Sequence, residues 1–172
     1  MANAPSAAVQ RLVDVVAQLR NPATGCPWDL EQTHASLVPY VLEEAHEVAD
    51  AIRQGDDQHL KEELGDLLLQ VVLHAQIAGE EQRFDLNAIA DGISNKLIRR
   101  HPHVFGDAEA KTSDDVRRSW DAIKLEEQAE ALAGSTSPLS DGLKTKVRGL
   151  PALAGAMTIS KKAAKAGFEW DD

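Results

Sequence analysis

A chain of 172 residues makes one ordinary domain, or one domain with a tail, and its 18 Lys and Arg against 28 Asp and Glu leave a net charge of −10. That charge repels nucleic acid and anionic membrane, so nonspecific binding to either is excluded as a default. A phosphorylated ligand would need a local cationic patch or a bridging metal. The single cysteine, Cys26, excludes an intrachain disulfide framework and a thiolate metal cluster, and points to a reducing compartment. The longest apolar run, Leu67-Leu68-Leu69 and then Val71-Val72-Leu73 after Gln70, falls far short of the roughly 20 residues that span a bilayer. Arg11 and Asp14 break up the N-terminus before any signal-peptide core forms, so the expected location is cytoplasmic.

Helical periodicity runs almost throughout, and strand alternation is nowhere convincing. Val9, Leu12, Val13, Val16 and Leu19 predict a helix over 6–20, stopped by Asn21-Pro22 and Gly25. Residues 25–29, Gly-Cys-Pro-Trp-Asp, read as a rigid loop carrying a large aromatic. A second helix is expected over 36–53, ending near Gly55, and a third from an N-cap at Asp56 or Asp57 to about Gly79. The fourth follows Phe84-Asp85 and stops at Arg100, because His101 precedes Pro102 and is pushed out of the α region. After a loop over 101–111, Thr112 or Ser113 caps a fifth helix through about Leu132, with Asp114 and Asp115 at its positive end. Residues 134–138, Gly-Ser-Thr-Ser-Pro, read as a linker, and 150–166 as one more helix. The last residues, Gly167-Phe168-Glu169-Trp170-Asp171-Asp172, echo 25–29 and suggest the start of a second copy. The expected domains are therefore 1–133, a catalytic helical domain, and 134–172, a linker with a C-terminal helix.

On the second helix Val38, Val41, Leu42, Ala45, Val48, Ala49 and Ile52 share one side. Glu44 and Glu47 project together from its flank, about 60° apart. The third helix is apolar around nearly its whole circumference between 64 and 77, which predicts burial on most sides. That jacket is interrupted by one polar stripe, Glu63, Asp66, Gln70 and His74. An acidic pair by itself is usually a solvated face, but ionised carboxylates on an apolar helix cost several kcal/mol each to bury unless paired or metal-bound. The stripe contains no Lys or Arg. Two such pairs facing each other would place four carboxylates around a hard cation, Mg²⁺ or Mn²⁺ rather than zinc.

The run Glu43-Glu44-Ala45-His46-Glu47 followed by Glu63-Leu64-Gly65-Asp66 is an EExxE…ExxD pattern. Together with residues 25–29, 63–68 and 99–105, it closely resembles the MazG branch of the all-α nucleoside triphosphate pyrophosphohydrolases, over nearly the whole chain. The resemblance implies an all-α helical bundle, dimeric or larger, that uses Mg²⁺ to hydrolyse an NTP or dNTP to monophosphate and pyrophosphate. Carried onto this sequence, it makes Glu44, Glu47, Glu63 and Asp66 the metal ligands. Glu47 is the choice for the catalytic base side. Glu43, about 100° from Glu44 on the wheel, either orients a group or water near the reaction or is solvated. The resemblance assigns phosphate binding to Lys96 and Arg100, against the alternative that a basic helix end answers the C-terminal dipole. Trp120 and Lys124 match a Trp…Lys pair near the family's substrate site, against a core role for the Trp.

Trp28 either stacks on the nucleobase, with little base selectivity, or plugs the bundle. Cys26 reads as structural, and His101 and His103 as shaping the loop at Pro102. Glu31-x-x-His34 and Glu43-x-x-His46 repeat the Glu-x-x-His spacing of ferritin-like metal carriers, but on adjoining segments rather than two facing helices. The position four residues before Glu63, often basic in related active units, is His59 here. The apolar third helix points to a homo-oligomer, and the expected partners are a nucleotide and a second copy, with neither nucleic acid nor membrane. The competing function is a noncatalytic nucleotide-binding or scaffolding module.

Overall fold

The computed structural model describes residues 5–131, 138–150, 152–165 and 167. Among them every regular element is a helix: α1 (Pro5–Leu19), α2 (Pro27–Glu31), α3 (Val38–Gln54), α4 (Asp57–Glu80), α5 (Leu86–Arg100), α6 (Pro102–Phe105), α7 (Ser113–Ala131), α8 (Pro138–Val147) and α9 (Ala152–Lys165). The chain forms two compact units, 1–95 and 96–172, with the boundary inside α5.

In the first unit α3 and α4 are joined by two residues, a connection that forces an antiparallel hairpin. Gly55 takes the left-handed conformation (φ 71°) and donates its N–H to Ala51 and Ile52, closing α3. Asp56 then caps α4, its carboxylate accepting from the N–H groups of Gln58 and His59. α1 lies against α4, and the core comprises Val16, Leu37, Val72, Leu73 and Ile77, with Leu12, Val13, Leu69 and Leu86 packed around it. Leu37 is fully buried just before α3, which is worth about 1.5–3 kcal/mol relative to exposure.

Arg20, 8% exposed, fixes the segment after α1. Its guanidinium grips Glu80 of α4 through two bonds of 2.9 and 2.7 Å and donates to the backbone carbonyls of Asp29 and Gln32. A side chain on Gly25 would lie 2.4 Å from the Leu19 carbonyl, so this turn admits only glycine.

The segment carrying Trp28 differs from the expected loop. Pro27 opens the short α2 there, since proline at the first turn gives up an N–H that is unpaired anyway. Pro102 does the same for α6 within the expected 101–111 loop. The apolar wheels are also only partly covered. Leu64, Leu68 and Val71 of α4 are 49%, 39% and 37% exposed, and Val38, Leu42 and Ile52 of α3 are 53%, 56% and 60% exposed. The expected burial of α4 on most sides is therefore not met within the first unit, where, among the described residues, α1 and α3 make the extensive contacts with it.

In the second unit α7 begins with a reciprocal cap: Thr112 Oγ1 accepts from the Asp115 N–H, and the Asp115 carboxylate accepts from the Thr112 N–H. α8 and α9 pack together, with Gly155 buried against Val147. α8 starts at Pro138, the end of the expected linker, and fills a stretch for which the sequence predicts no element before the helix over 150–166. Residues 134–137 of that linker and the terminal echo at 168–172 lie outside the described residues.

Candidate metal centre

The antiparallel hairpin brings the two acidic motifs level with each other. One carboxylate oxygen each from Glu44, Glu63 and Asp66 lies within 4.8 Å of the others. Glu47 lies beside Glu63, close enough for its charge to raise the Glu63 carboxyl. All four residues selected by the helical wheel thus meet on one face of the α3–α4 pair.

The electrostatics follow from the crowding. Glu44 is raised above the usual carboxylate range, first by burial and then by Asp66, Glu47 and Glu63. Glu63, its side chain 12% exposed, is raised by burial and by Glu47 and Asp66. Only His59 opposes this, with Nδ1 at 3.1 Å from Glu63 Oε1. An all-oxygen donor set on rigid helices, carrying more negative charge than its surroundings offset, fits a hard divalent cation such as Mg²⁺ or Mn²⁺. Glu43 is exposed and contributes the least of the neighbouring charges to Glu44.

The polar stripe of α4 continues past the carboxylates. Gln70 is 7% exposed, and its amide oxygen has no hydrogen-bond partner among the described residues. His74 stacks on His34 with ring planes 5° apart and Nδ1 atoms 2.7 Å apart. Arg83 donates to His34 Nε2, so a neutral His34 carries its proton on Nδ1 and gives it to His74. Burial lowers the His74 pKa, and His34 lowers it further. His34 is therefore committed to a histidine pair, which removes it from the Glu-x-x-His reading. Trp28, 48% exposed, meets the ring of Tyr40 edge to face, with centroids 5.8 Å apart.

The remaining expected substrate contacts belong to the second unit. Lys96 is exposed, and Lys124 is half-buried on α7. Arg100, its side chain 11% exposed, lies over the Trp120 ring at 5.1 Å and is paired with Glu127. Arg99 donates to Glu127 at 2.7 Å. Hydrogen bonds from Arg100 and Arg99 bring the Glu127 carboxyl down to about 2. His101 meets Trp120 edge to face at 5.0 Å. Sequence reasoning did not find Tyr40 or Glu127. Tyr40 shares the helical line of Glu44 and Glu47, a detectable signal, whereas the Glu127 contact depends on tertiary packing.

Fold and site together define a class: all-α proteins in which two antiparallel helices pool their carboxylates in one acidic cluster. Within it, residues 32–105 match the MazG nucleotide pyrophosphohydrolase domain, and the chain is similar to MazG proteins over most of its length. The nucleoside triphosphate pyrophosphohydrolase of Escherichia coli is 49% identical over 162 residues, covering 94% of this chain and 59% of that protein. The nucleoside triphosphate pyrophosphohydrolase/pyrophosphatase MazG of Thermotoga maritima is 42% identical over 166 residues, covering 95% of this chain and 59% of that protein. This chain therefore spans about three-fifths of the length of these curated relatives. The crystal structure of a mazG-related protein from Thermotoga maritima superposes with a TM-score of 0.57 at 27% identity, covering 67% of this chain and 98% of that one.

Proposed function

We propose that this chain hydrolyses nucleoside and deoxynucleoside triphosphates to the monophosphate and pyrophosphate, with Mg²⁺ held by Glu44, Glu47, Glu63 and Asp66. The observation that carries the proposal is the convergence of these carboxylates from α3 and α4. A bound divalent cation would neutralise the polyphosphate and acidify the attacking water. Water adds to phosphorus, the bond between the α and β phosphates breaks, and the proton released passes to a carboxylate, for which Glu47 is the choice. Glu63 is oriented by His59, and Glu44 and Asp66 complete the donor set. Glu43, exposed beside this set, orients a group or water near the reaction.

The same reading keeps Trp28 for the base and gives substrate contacts in the second unit to Lys96, Arg100, Trp120 and Lys124. It assigns catalysis to residues 1–133, a broad base range suited to nucleotide-pool housekeeping, and a cytoplasmic site of action suggested by the single cysteine. No helix among the described residues is long and apolar enough to cross a membrane. A homodimer would cover the exposed apolar residues of α3 and α4.

The test is release of monophosphate and pyrophosphate from a panel of NTPs and dNTPs with Mg²⁺. Glu63→Gln keeps the size and polarity of the side chain but removes one ligand charge. It is expected to lower kcat at least a hundredfold while leaving the helical circular dichroism unchanged. Absence of turnover in the unmodified chain with metal bound would favour the noncatalytic nucleotide-binding module instead.

A further inference from the structure

α5 ends with Lys96, Arg99 and Arg100 within about 100° of one another on its wheel, and α7 carries Trp120, Lys124 and Glu127 within about 60°. The two lines meet at one carboxylate. Glu127 Oε1 accepts from Arg99 Nε at 2.7 Å, while Oε2 accepts from Arg100 Nε at 3.2 Å and from its Nη2 at 2.5 Å. The Arg100 guanidinium also lies over the Trp120 ring, 5.1 Å from its centroid. Its side chain is 11% exposed, against 57% for Arg99 and 22% for Glu127.

Two properties set this cluster apart from an ordinary ion pair between helices. The first is its charge. Two guanidiniums share one carboxylate, so a positive charge is left over, and Lys96 and Lys124 on the same helix lines add to it. In a chain of net charge −10, such a local excess is what draws an anion. The second property is the part of Arg100 that is used. Glu127 takes the Nε–Nη2 edge and Trp120 takes a face, so the rigid fork is held from two directions while neither engages Nη1. Hydrogen bonds from the two arginines bring the Glu127 carboxyl down to about 2, so it is ionised wherever a nucleotide is. A long, rotamer-rich side chain that is fixed before its ligand arrives spares the binding step the cost of ordering it.

Building on the reading of Arg100 as a phosphate contact, we propose that Glu127 is a positioning residue, holding the Arg100 guanidinium against Trp120 with Nη1 presented to an oxygen of the triphosphate. Its charge also offsets the repulsion between Arg100 and Arg99. Glu127 touches no substrate and acts through Arg100. Its removal therefore costs affinity for the polyphosphate and leaves the chemical step unchanged.

The experiment measures ATP hydrolysis with Mg²⁺ by the 172-residue chain and by its Glu127→Ala, Glu127→Gln, Arg100→Ala and Arg100→Ala/Glu127→Ala variants. Glu127→Ala is expected to raise KM roughly 10- to 100-fold, the scale of a misplacement by about 1 Å, with kcat kept within about twofold. Glu127→Gln keeps the length of the side chain and an acceptor oxygen, so its KM should rise less. In the Arg100→Ala background, Glu127→Ala should add less than about twofold, because the residue it positions is gone. Should Glu127→Ala lose its helical circular dichroism, Glu127→Gln decides by the same criteria.

An unchanged KM in the Glu127 variants would overturn the proposal, as would a fall in kcat matching the rise in KM, or an equal rise with Arg100 present and absent. If Arg100→Ala also leaves KM unchanged, the phosphate reading of Arg100 falls too; if it raises KM while the Glu127 variants do not, only the positioning role falls. Calorimetric titration with inorganic tripolyphosphate and Mg²⁺ follows binding without turnover. If the chain hydrolyses no nucleotide but Glu127→Ala weakens this binding only when Arg100 is present, the hydrolysis reading falls and the positioning role stands.

Discussion

Glu63 sits where the opposing demands on this protein are sharpest. Its side chain is 12% exposed, beside Glu47 and 3.1 Å from His59. Its carboxyl and that of Glu44 are held above their ordinary range by burial and by like charges. An acid whose folded pKa is raised binds protons more tightly in the folded than in the unfolded chain. Without metal, this part of the stability therefore grows as the pH falls from neutral through the raised values. A divalent cation relieves the same repulsion at neutral pH and, binding only the folded form, adds about 2.7 kcal/mol at a hundred times its Kd. Thermal melts at pH 7.5 should thus show a Tm that climbs with Mg²⁺ and falls back on addition of EDTA. In Glu63→Gln the climb should be smaller and the metal-free melt no lower. A metal-insensitive Tm in the unmodified chain would remove the cation from the site. The four clustered carboxylates were legible from the sequence because helical spacing alone aligns Glu44 with Glu47 and Glu63 with Asp66. The His59 contact and the closeness of Glu47 to Glu63 were not, because side-chain conformation decides them.

Among the elements, the α3–α4 hairpin does most to build the site, and its two-residue connection sets the register of the carboxylates. Gly55 at φ 71° occupies a conformation that costs an alanine about 1 kcal/mol. Urea denaturation of Gly55→Ala should show a loss of that size with an unchanged slope, and removal of the Asp56 cap in Asp56→Ala should show a similar one. Helix ends with local causes were readable: α4 begins at its Asp56 cap and α5 ends before His101-Pro102. The short α2 and α6 were not, because Pro27 and Pro102 each start a single turn that no periodicity can reveal. α8 was missed because its sequence, Pro-Leu-Ser-Asp-Gly-Leu-Lys-Thr-Lys-Val, carries Ser and Gly that read as linker residues until contact with α9 is known.

At the scale of the whole chain, two features lead to measurable behaviour. The first is Arg20, which joins the end of α1 to α4 and to the backbone before α3. Its guanidinium holds the Glu80 carboxyl below the ordinary range. A depressed carboxylate contributes its stability in full above the unfolded value, near 4.5, and loses it as the pH falls through the lower folded value. Glu80→Gln should cost about 1–3 kcal/mol at neutral pH, reduced by solvent because the Glu80 side chain is 35% exposed. It should also flatten the acid limb of the stability profile below about pH 5. The second feature is the apolar surface left open by Val38, Leu42 and Ile52 on α3 and by Leu64, Leu68 and Val71 on α4. Large apolar side chains left this exposed on two packed helices mark an interaction surface. Light scattering at micromolar concentration should return twice the chain mass, and Leu68→Lys should shift it toward the monomer. A monomeric unmodified chain would contradict the dimer.

The sequence by itself determined the all-α class, the position of the long helices and the identity of the acidic cluster. Each of these follows from spacing along one helix, where a residue's neighbours lie three or four positions away. Tertiary structure alone decided which half of each apolar wheel is covered within the chain, that Trp28 meets Tyr40, that His34 is committed to His74, and that Arg100 is paired with Glu127. These contacts join residues from 12 to 40 positions apart, whose meeting depends on loop paths and helix docking rather than on any local period.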